Sequence, residues 1–156
     1  GCPGAGKRTF GRKLRDRTSL PLYYLDMIWH RADGTNIPRE EFDRKLGEII
    51  CGKQWIIDGN YLRTLEMRLA ACDTVFLLDY PLELCLAGAG ERIGKKREDL
   101  PWVETEPDLE FRQWIVDFPN DQLPRIYDML EKYRDGRDIY IFRRREDADA
   151  YLALPG

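Results

Sequence analysis

The sequence predicts an α/β fold built on a parallel sheet. Three observations lead there. Short apolar runs alternate with amphipathic stretches, the chain opens on a glycine-rich loop that feeds a helical pattern, and three of the four apolar runs end near an aspartate. The last point matters because open α/β sheets bind ligands outside the carboxyl ends of their strands.

The elements follow in order. After the opening GCPGAGKRTF, residues Lys7 to Arg17 read as a helix with Phe10 and Leu14 facing inward. LPLYYLD, Leu20 to Asp26, reads as a strand ending in a carboxylate. Gly34, Asn36 and Pro38 mark Trp29 to Pro38 as a loop, and Pro38 opens a helix to about Ile50. WIIDGNY is a short buried strand stopping at Asp58-Gly59, and a helix is expected over Leu62 to Ala71. TVFLLDYP is the clearest buried strand, ending at Asp79; Pro81 to Arg92 is helical in pattern despite Gly88 and Gly90. GKKREDLPWVETEP breaks the pattern. Helices resume over Asp108 to Asp117 and Pro124 to Tyr133, followed by a strand, Asp138 to Phe142, and a helix, Glu146 to Leu152.

Composition narrows the function classes. The 156 residues suit one domain, 43% hydrophobic and 34% charged, with no apolar run of membrane-spanning length and no signal sequence, so a cytoplasmic protein is expected. Cys2, Cys51, Cys72 and Cys85 form no CxxC pair and are read as buried or half-buried thiols. His30 is the only histidine, which removes Ser-His-Asp, Cys-His and histidine-rich metal chemistry. A net charge of −3 gives no general pull toward nucleic acid, so direct DNA binding is not expected and small anions are the better partners.

Gly1, Gly6 and Lys7 match the phosphate-binding pattern GxxxxGK[ST]; Arg8 does not. A GxxxxGK match arises by chance in about 5% of chains this long, and requiring Gly4 as well lowers that to about 0.3%. The competing explanation is a glycine-rich turn capping an ordinary helix. Such a loop sits between a buried strand and a helix, because its N–H groups converge on phosphate at the helix N-terminus. The pattern therefore carries the expectation of a Val/Ile/Leu-rich strand immediately before Gly1, lying between the strands that end at Asp58 and Asp79.

GCPGAGKRT is similar to the GxPGxGKxT loop of adenylate-kinase-like enzymes, and WIIDGNYLRT resembles their DGxxxRT strand end. LPLYYLDMIW, WIIDGNYLRTLEMRL, CDTVFLLDYPLELCL, REDLPW and DLEFRQWIVDFPN resemble the signature blocks of the bacterial DNA topology modulation proteins, a P-loop kinase-like family. The resemblance runs from Gly1 to about Asn120. It implies a P-loop NTPase three-layer sandwich with a parallel sheet, a single domain over 1–156 with a lid around 92–107, and ATP and Mg²⁺ as ligands.

Site residues carry over one by one. Gly1, Pro3, Gly4, Ala5, Gly6, Lys7, Arg8 and Thr9 would hold ATP phosphates, with Lys7 reaching the γ-phosphate and Thr9 offering a hydroxyl. Asp58 resembles a Walker B aspartate and, with Thr9, would serve Mg²⁺; forming the turn before Gly59 is its alternative role. Asp26 would orient or deprotonate the acceptor hydroxyl, or else cap a helix. Trp29, Gly59, Asn60, Tyr61 and Arg63 would line the acceptor side, Trp29 having core packing as its alternative. Arg92 and Arg97 would close from the lid onto developing charge, while Lys95 and Lys96 read as solvated surface. Arg144 would stack on the adenine. Arg8 departs from the pattern at the usual metal-ligand hydroxyl, and Gly88 departs where the family carries another lid arginine. The leading expectation is a kinase transferring the γ-phosphoryl group of ATP to a nucleoside, nucleotide or similar acceptor. The alternative is a catalytically weak nucleotide-binding regulator linked to DNA topology.

Overall fold

Parallel strand pairing needs a helical crossover between partners, and each pair of this chain has one or more. The computed structural model describes residues 1–155. Strand β1 (Leu22–Tyr24) pairs with β2 (Ile56–Asp58), placing Tyr24 opposite Asp58. Strand β3 (Thr74–Leu78) pairs with β4 (Asp138–Phe142) along its whole length. Eight helices connect and cover them among the described residues: α1 (Lys7–Thr18), α2 (Leu25–Trp29), α3 (Arg39–Ile50), α4 (Leu62–Ala71), α5 (Leu82–Glu91), α6 (Leu109–Asp121), α7 (Leu123–Lys132) and α8 (Arg145–Leu152). The chain is α/β with short parallel strands, as its alternating pattern indicates.

One expected sheet is instead two strand pairs. β2 and β3 share no ladder, and a groove of about 470 Å³ lies between them, lined by Ile57, Leu65, Leu69, Val75 and Leu77. Gly1 lies at the carboxyl ends of both strands. Its amino nitrogen donates to Asn60 Oδ1 at 3.3 Å, and a Cβ on it would meet the Leu78 carbonyl oxygen at 2.4 Å.

A second correction concerns Asp26. The strand expected to end there stops at Tyr24, and Asp26 falls in the first turn of α2. Leu25, Ile28 and Trp29 recur at helical spacing, and Leu25 is fully buried with Ile37, Phe42 and Leu46 in a small core under α2 and α3. The larger core joins α1, α4, the β3–β4 pair and α5 to α8 through Phe10, Leu14, Leu69, Leu77, Leu78, Cys85, Ile115, Phe118, Ile126, Leu130, Phe142 and Ala148. Each such side chain contributes about 1.5–3 kcal/mol by leaving water. Cys2 and Cys85 are buried and Cys72 half-buried, but Cys51 is exposed at the end of α3. No helix is long and apolar enough to cross a membrane among the described residues.

Candidate functional site

The opening loop takes its shape from two glycines. Gly4 (φ 84°) and Gly6 (φ 94°) sit in left-handed conformations, and the Ala5 amide donates to the Cys2 carbonyl at 3.1 Å. Gly6 precedes α1 with no side-chain cap, so the N–H groups of the first turn at Lys7, Arg8 and Thr9 have no intrahelical acceptor. They add the positive end of the helix dipole to the loop. The loop rests on α5, where a Cβ on Gly4 would lie 2.0 Å from the Cys85 carbonyl oxygen.

Lys7 folds over this loop, its Nζ donating to the carbonyls of Gly1 (2.9 Å) and Cys2 (3.3 Å). A third proton remains for an incoming anion. Loop residues Pro3 to Thr9 open into a cavity of about 1000 Å³, whose walls include Asp26, Asp58, Gly59, Asn60, Tyr61, Arg92 and Arg97. Seven expected site positions beyond the loop thus share one space with it.

Asp58 ends β2 inside this cavity. Burial raises its pKa, opposed by the Lys7 ammonium. The turn after it is fastened from below by Arg68 of α4, which is 7% exposed. Arg68 Nη1 donates to the Gly59 carbonyl at 3.0 Å, and Nη2 donates to those of Asn60 (2.6 Å) and Tyr61 (3.0 Å). This clamp holds Tyr61 in a left-handed conformation at φ 31°, which its side chain disfavours by itself. Burial brings the Arg68 pKa down to about 10, and its Nε has no partner. Sequence reasoning passed over Arg68; the signal was a guanidinium placed beside Leu65 and Leu69 on the apolar face of an amphipathic helix.

Tyr61 donates its hydroxyl to Asp26 Oδ1 at 2.5 Å, leaving Oδ2 of a partly exposed carboxylate open to the cavity. Burial and the Asp26 charge push the Tyr61 pKa up. His30 Nε2 stands 4.0 Å from the same Asp26 oxygen while Nδ1 faces Asn36 Oδ1 at 3.0 Å, and Trp102 packs edge-on against the imidazole with centroids 5.1 Å apart. His30 and Trp102 also line the cavity without having been singled out as acceptor-side residues.

The segment between α5 and α6 is held by a buried ion network. Arg97 binds Asp99 through Nε (2.9 Å) and Nη2 (2.6 Å), and Glu104 through Nη1 (3.1 Å). Arg8, where a metal-binding hydroxyl was the pattern, reaches Asp99 at 3.4 Å instead. Arg92 has no carboxylate partner among the described residues; its guanidinium lies 5.9 Å from the Phe111 ring centre, its Nε is buried without an acceptor, and burial and the nearby Arg97 lower its pKa.

Four expected residues lie elsewhere: Gly1 lines the groove between β2 and β3. Trp29 packs edge-on against Phe42 in the small core, with centroids 5.5 Å apart. Arg63 points to the exposed face and grips Asp43 with two bonds of 3.0 and 2.8 Å. Arg144 is an exposed partner of Asp147, while its neighbour Arg145 lines the cavity. For a divalent cation, Asp58 and the Thr9 hydroxyl are the available donors, and no group of three or more His, Cys, Asp or Glu residues is placed to hold a metal among the described residues. That donor set suits Mg²⁺ carried in on phosphate oxygens, not a cage made by protein alone. Comparison of the chain with family models, with curated proteins and with solved structures finds no match.

Proposed function

We propose that this chain is an ATP-dependent small-molecule kinase of the P-loop type, similar to adenylate-kinase-like enzymes and to the DNA topology modulation proteins. The observation that carries the reading is a single cavity joining the Gly4–Thr9 loop and Lys7 to two carboxylates, Asp58 and Asp26. Phosphoryl transfer asks a protein for positioning and for neutralised charge more than for covalent chemistry. Loop N–H groups and Lys7 would hold the β- and γ-phosphates, and Arg92 would face the charge that spreads over the moving group. Mg²⁺, when bound with ATP, neutralises phosphate oxygens, with Asp58 and Thr9 as its protein donors. The acceptor oxygen forms a bond to the γ-phosphorus as the bond from that phosphorus to the β,γ-bridging oxygen breaks. The bond's electron pair leaves with ADP, and the hydroxyl proton passes to Asp26 Oδ2.

A screen for acceptor-stimulated ADP release tests the reading, alongside calorimetry of ATP with wild type and Lys7→Ala. Lys7→Ala should weaken ATP binding by about 2 kcal/mol, a charge-assisted bond's worth. An unchanged dissociation constant would reduce the loop to a helix cap.

One observation favours the alternative, a nucleotide-binding regulator without appreciable turnover. Arg8 holds Asp99 at the position where a hydroxyl would bind Mg²⁺, leaving the metal few protein donors. ATP binding without ADP release in the presence of any acceptor would establish that alternative.

A further inference from the structure

The carboxylate that takes the acceptor's proton is held at one point. Asp26 lies in the first turn of the five-residue helix α2, and its side chain is 41% exposed. Among the described residues its carboxylate accepts one side-chain hydrogen bond, from the Tyr61 hydroxyl. A side chain so exposed samples several rotamers unless a bond selects one. The direction of Oδ2 therefore depends on where one phenol oxygen sits.

That oxygen is fixed through the turn that carries it. Tyr24 and Asp58 lie opposite each other in the β1–β2 ladder, so α2 and the turn after β2 leave from neighbouring strand ends. The two pack closely: a Cβ on Gly59 would lie 2.8 Å from the Leu25 side chain. The Tyr61 ring rests against Phe42 and Trp29, with centroids 5.3 and 6.4 Å apart. Its backbone, however, sits at φ 31° and ψ 68°, a left-handed conformation that a tyrosine keeps only when its surroundings impose it. Arg68 is the restraint. Its buried guanidinium binds three successive carbonyls, those of Gly59, Asn60 and Tyr61. Buried Thr64 adds its amide and hydroxyl to the Tyr61 carbonyl at 2.9 and 3.1 Å, but only Arg68 spans the whole turn.

We infer that Arg68 is a positioning residue for the acceptor base, holding the Tyr61 hydroxyl in place and, through it, the Asp26 carboxylate. The role of Asp26 rests on the kinase reading, which this inference deepens by adding a residue that touches no reactant. The planar guanidinium suits the task, since lysine would keep the charge but lose the fork that reaches several carbonyls at once.

Arg68→Lys, Tyr61→Phe and the double substitution, each in the full chain, test the inference. Tyr61→Phe keeps the ring beside Phe42 and Trp29 and removes only the hydroxyl. Each variant is assayed for acceptor-stimulated ADP release, for ATP affinity without Mg²⁺ by calorimetry, and for the Asp26 carboxyl ¹³C signal at neutral pH, assigned by its loss in Asp26→Asn. Each single substitution should lower kcat by about tenfold or more, the scale of a misplaced reacting group, with ATP affinity kept. The double variant should lose no more than about twofold beyond the worse single one, because Tyr61→Phe has already removed the hydroxyl through which Arg68 acts. The Asp26 signal should move in both single variants and no further in the double one. Losses that multiply in the double variant, or an Asp26 signal unmoved in folded Arg68→Lys, overturn the inference. So does a loss of ATP affinity as large as the loss of turnover, which makes Arg68 a general prop of the site. Arg68→Gln, neutral and still able to donate twice, takes the place of Arg68→Lys if the latter does not fold. A wild-type chain that releases no ADP with any acceptor removes the kinase reading, while the Asp26 signal still decides whether Arg68 holds the Tyr61–Asp26 bond.

Discussion

A Cβ on Gly88 would lie 2.1 Å from the carbonyl oxygen of Gly4, so α5 and the opening loop touch backbone to backbone. The contact accounts for a glycine at this position of the helix. A side chain there would collide with the loop before reaching any ligand. Gly88→Ala should therefore displace the loop, costing about 1–3 kcal/mol of stability by overpacking and weakening ATP binding. Gly90, two residues on and on another face of the helix, has nothing within 4 Å of an added Cβ, so Gly90→Ala should stabilise the helix by up to about 1 kcal/mol. Thermal melts and ATP calorimetry on the pair check this; equal effects of the two substitutions would refute the backbone-contact account.

Arg8 and Asp99 bring the start of α1 and the segment after α5 together at 3.4 Å. Arg8→Ser removes that tie and places a hydroxyl in the first turn of α1, where the proposed nucleotide's phosphates would lie. Two outcomes are expected together: faster protease cleavage between residues 94 and 107, and ATP binding that depends more steeply on Mg²⁺ concentration. Unaltered Mg²⁺ dependence would show that this hydroxyl position plays no part in metal binding.

The groove between β2 and β3 exposes two strand edges and an apolar lining, with the unpartnered Arg68 Nε also on its wall. Unpaired edges of this kind accept an added strand. Fusing a five-residue Val/Ile-rich segment to the amino nitrogen of Gly1 should fill the groove in parallel with both neighbours and raise the melting temperature. A Ser/Asn-rich segment of equal length is the control, and equal melting temperatures for the two fusions would exclude strand addition.

Much of the fold was legible in the residues, for reasons that also mark where legibility stopped. TVFLLDYP and DIYIF are continuous apolar runs, and both became strands with the expected cores. LPLYYLD misled because its alternating start gives way to Leu25, Ile28 and Trp29 at helical spacing, a change of period within seven residues. The loop, Asp58 and Tyr61 were readable because backbone geometry ties their positions to their neighbours in sequence. Trp29, Arg63 and Arg144 were not, since the direction of a side chain depends on partners such as Phe42, Asp43 and Asp147 that periodicity does not reveal. Likewise the Arg97–Asp99–Glu104 network joins residues of an irregular segment, where no period places side chains on a common face.

Arg92 faces the cavity with a guanidinium whose Nε lacks an acceptor, and burial already lowers its pKa. An unpaired cation in that setting gains most from charge that appears during reaction. Arg92→Ala should accordingly lower kcat by about 100-fold, the scale of losing one electrostatic stabiliser, with a smaller change in KM. A raised KM with kcat unchanged would mean that Arg92 contributes only binding that is equal in the ground and transition states.

Asp58 provides a pH-dependent test with a defined sign. Its pKa in the folded protein is raised above the ordinary 3.8 because burial outweighs the attraction of Lys7. Between those two values the folded protein binds more protons at this site than the unfolded chain, so its contribution to stability falls as pH rises. Above the raised value the cost of the buried carboxylate is complete. Asp58→Asn removes that cost. The variant should melt at or above the wild-type temperature at neutral pH, and the gap should shrink as the solution is acidified and the wild-type carboxyl takes up its proton. Turnover moves the other way: loss of the carboxylate should abolish Mg²⁺-dependent ADP release while preserving much of the nucleotide affinity measured without metal. A variant that is less stable than wild type at neutral pH would show that the Lys7 pairing dominates the burial of Asp58. A variant more stable and yet fully active would remove Asp58 from the proposed transfer chemistry.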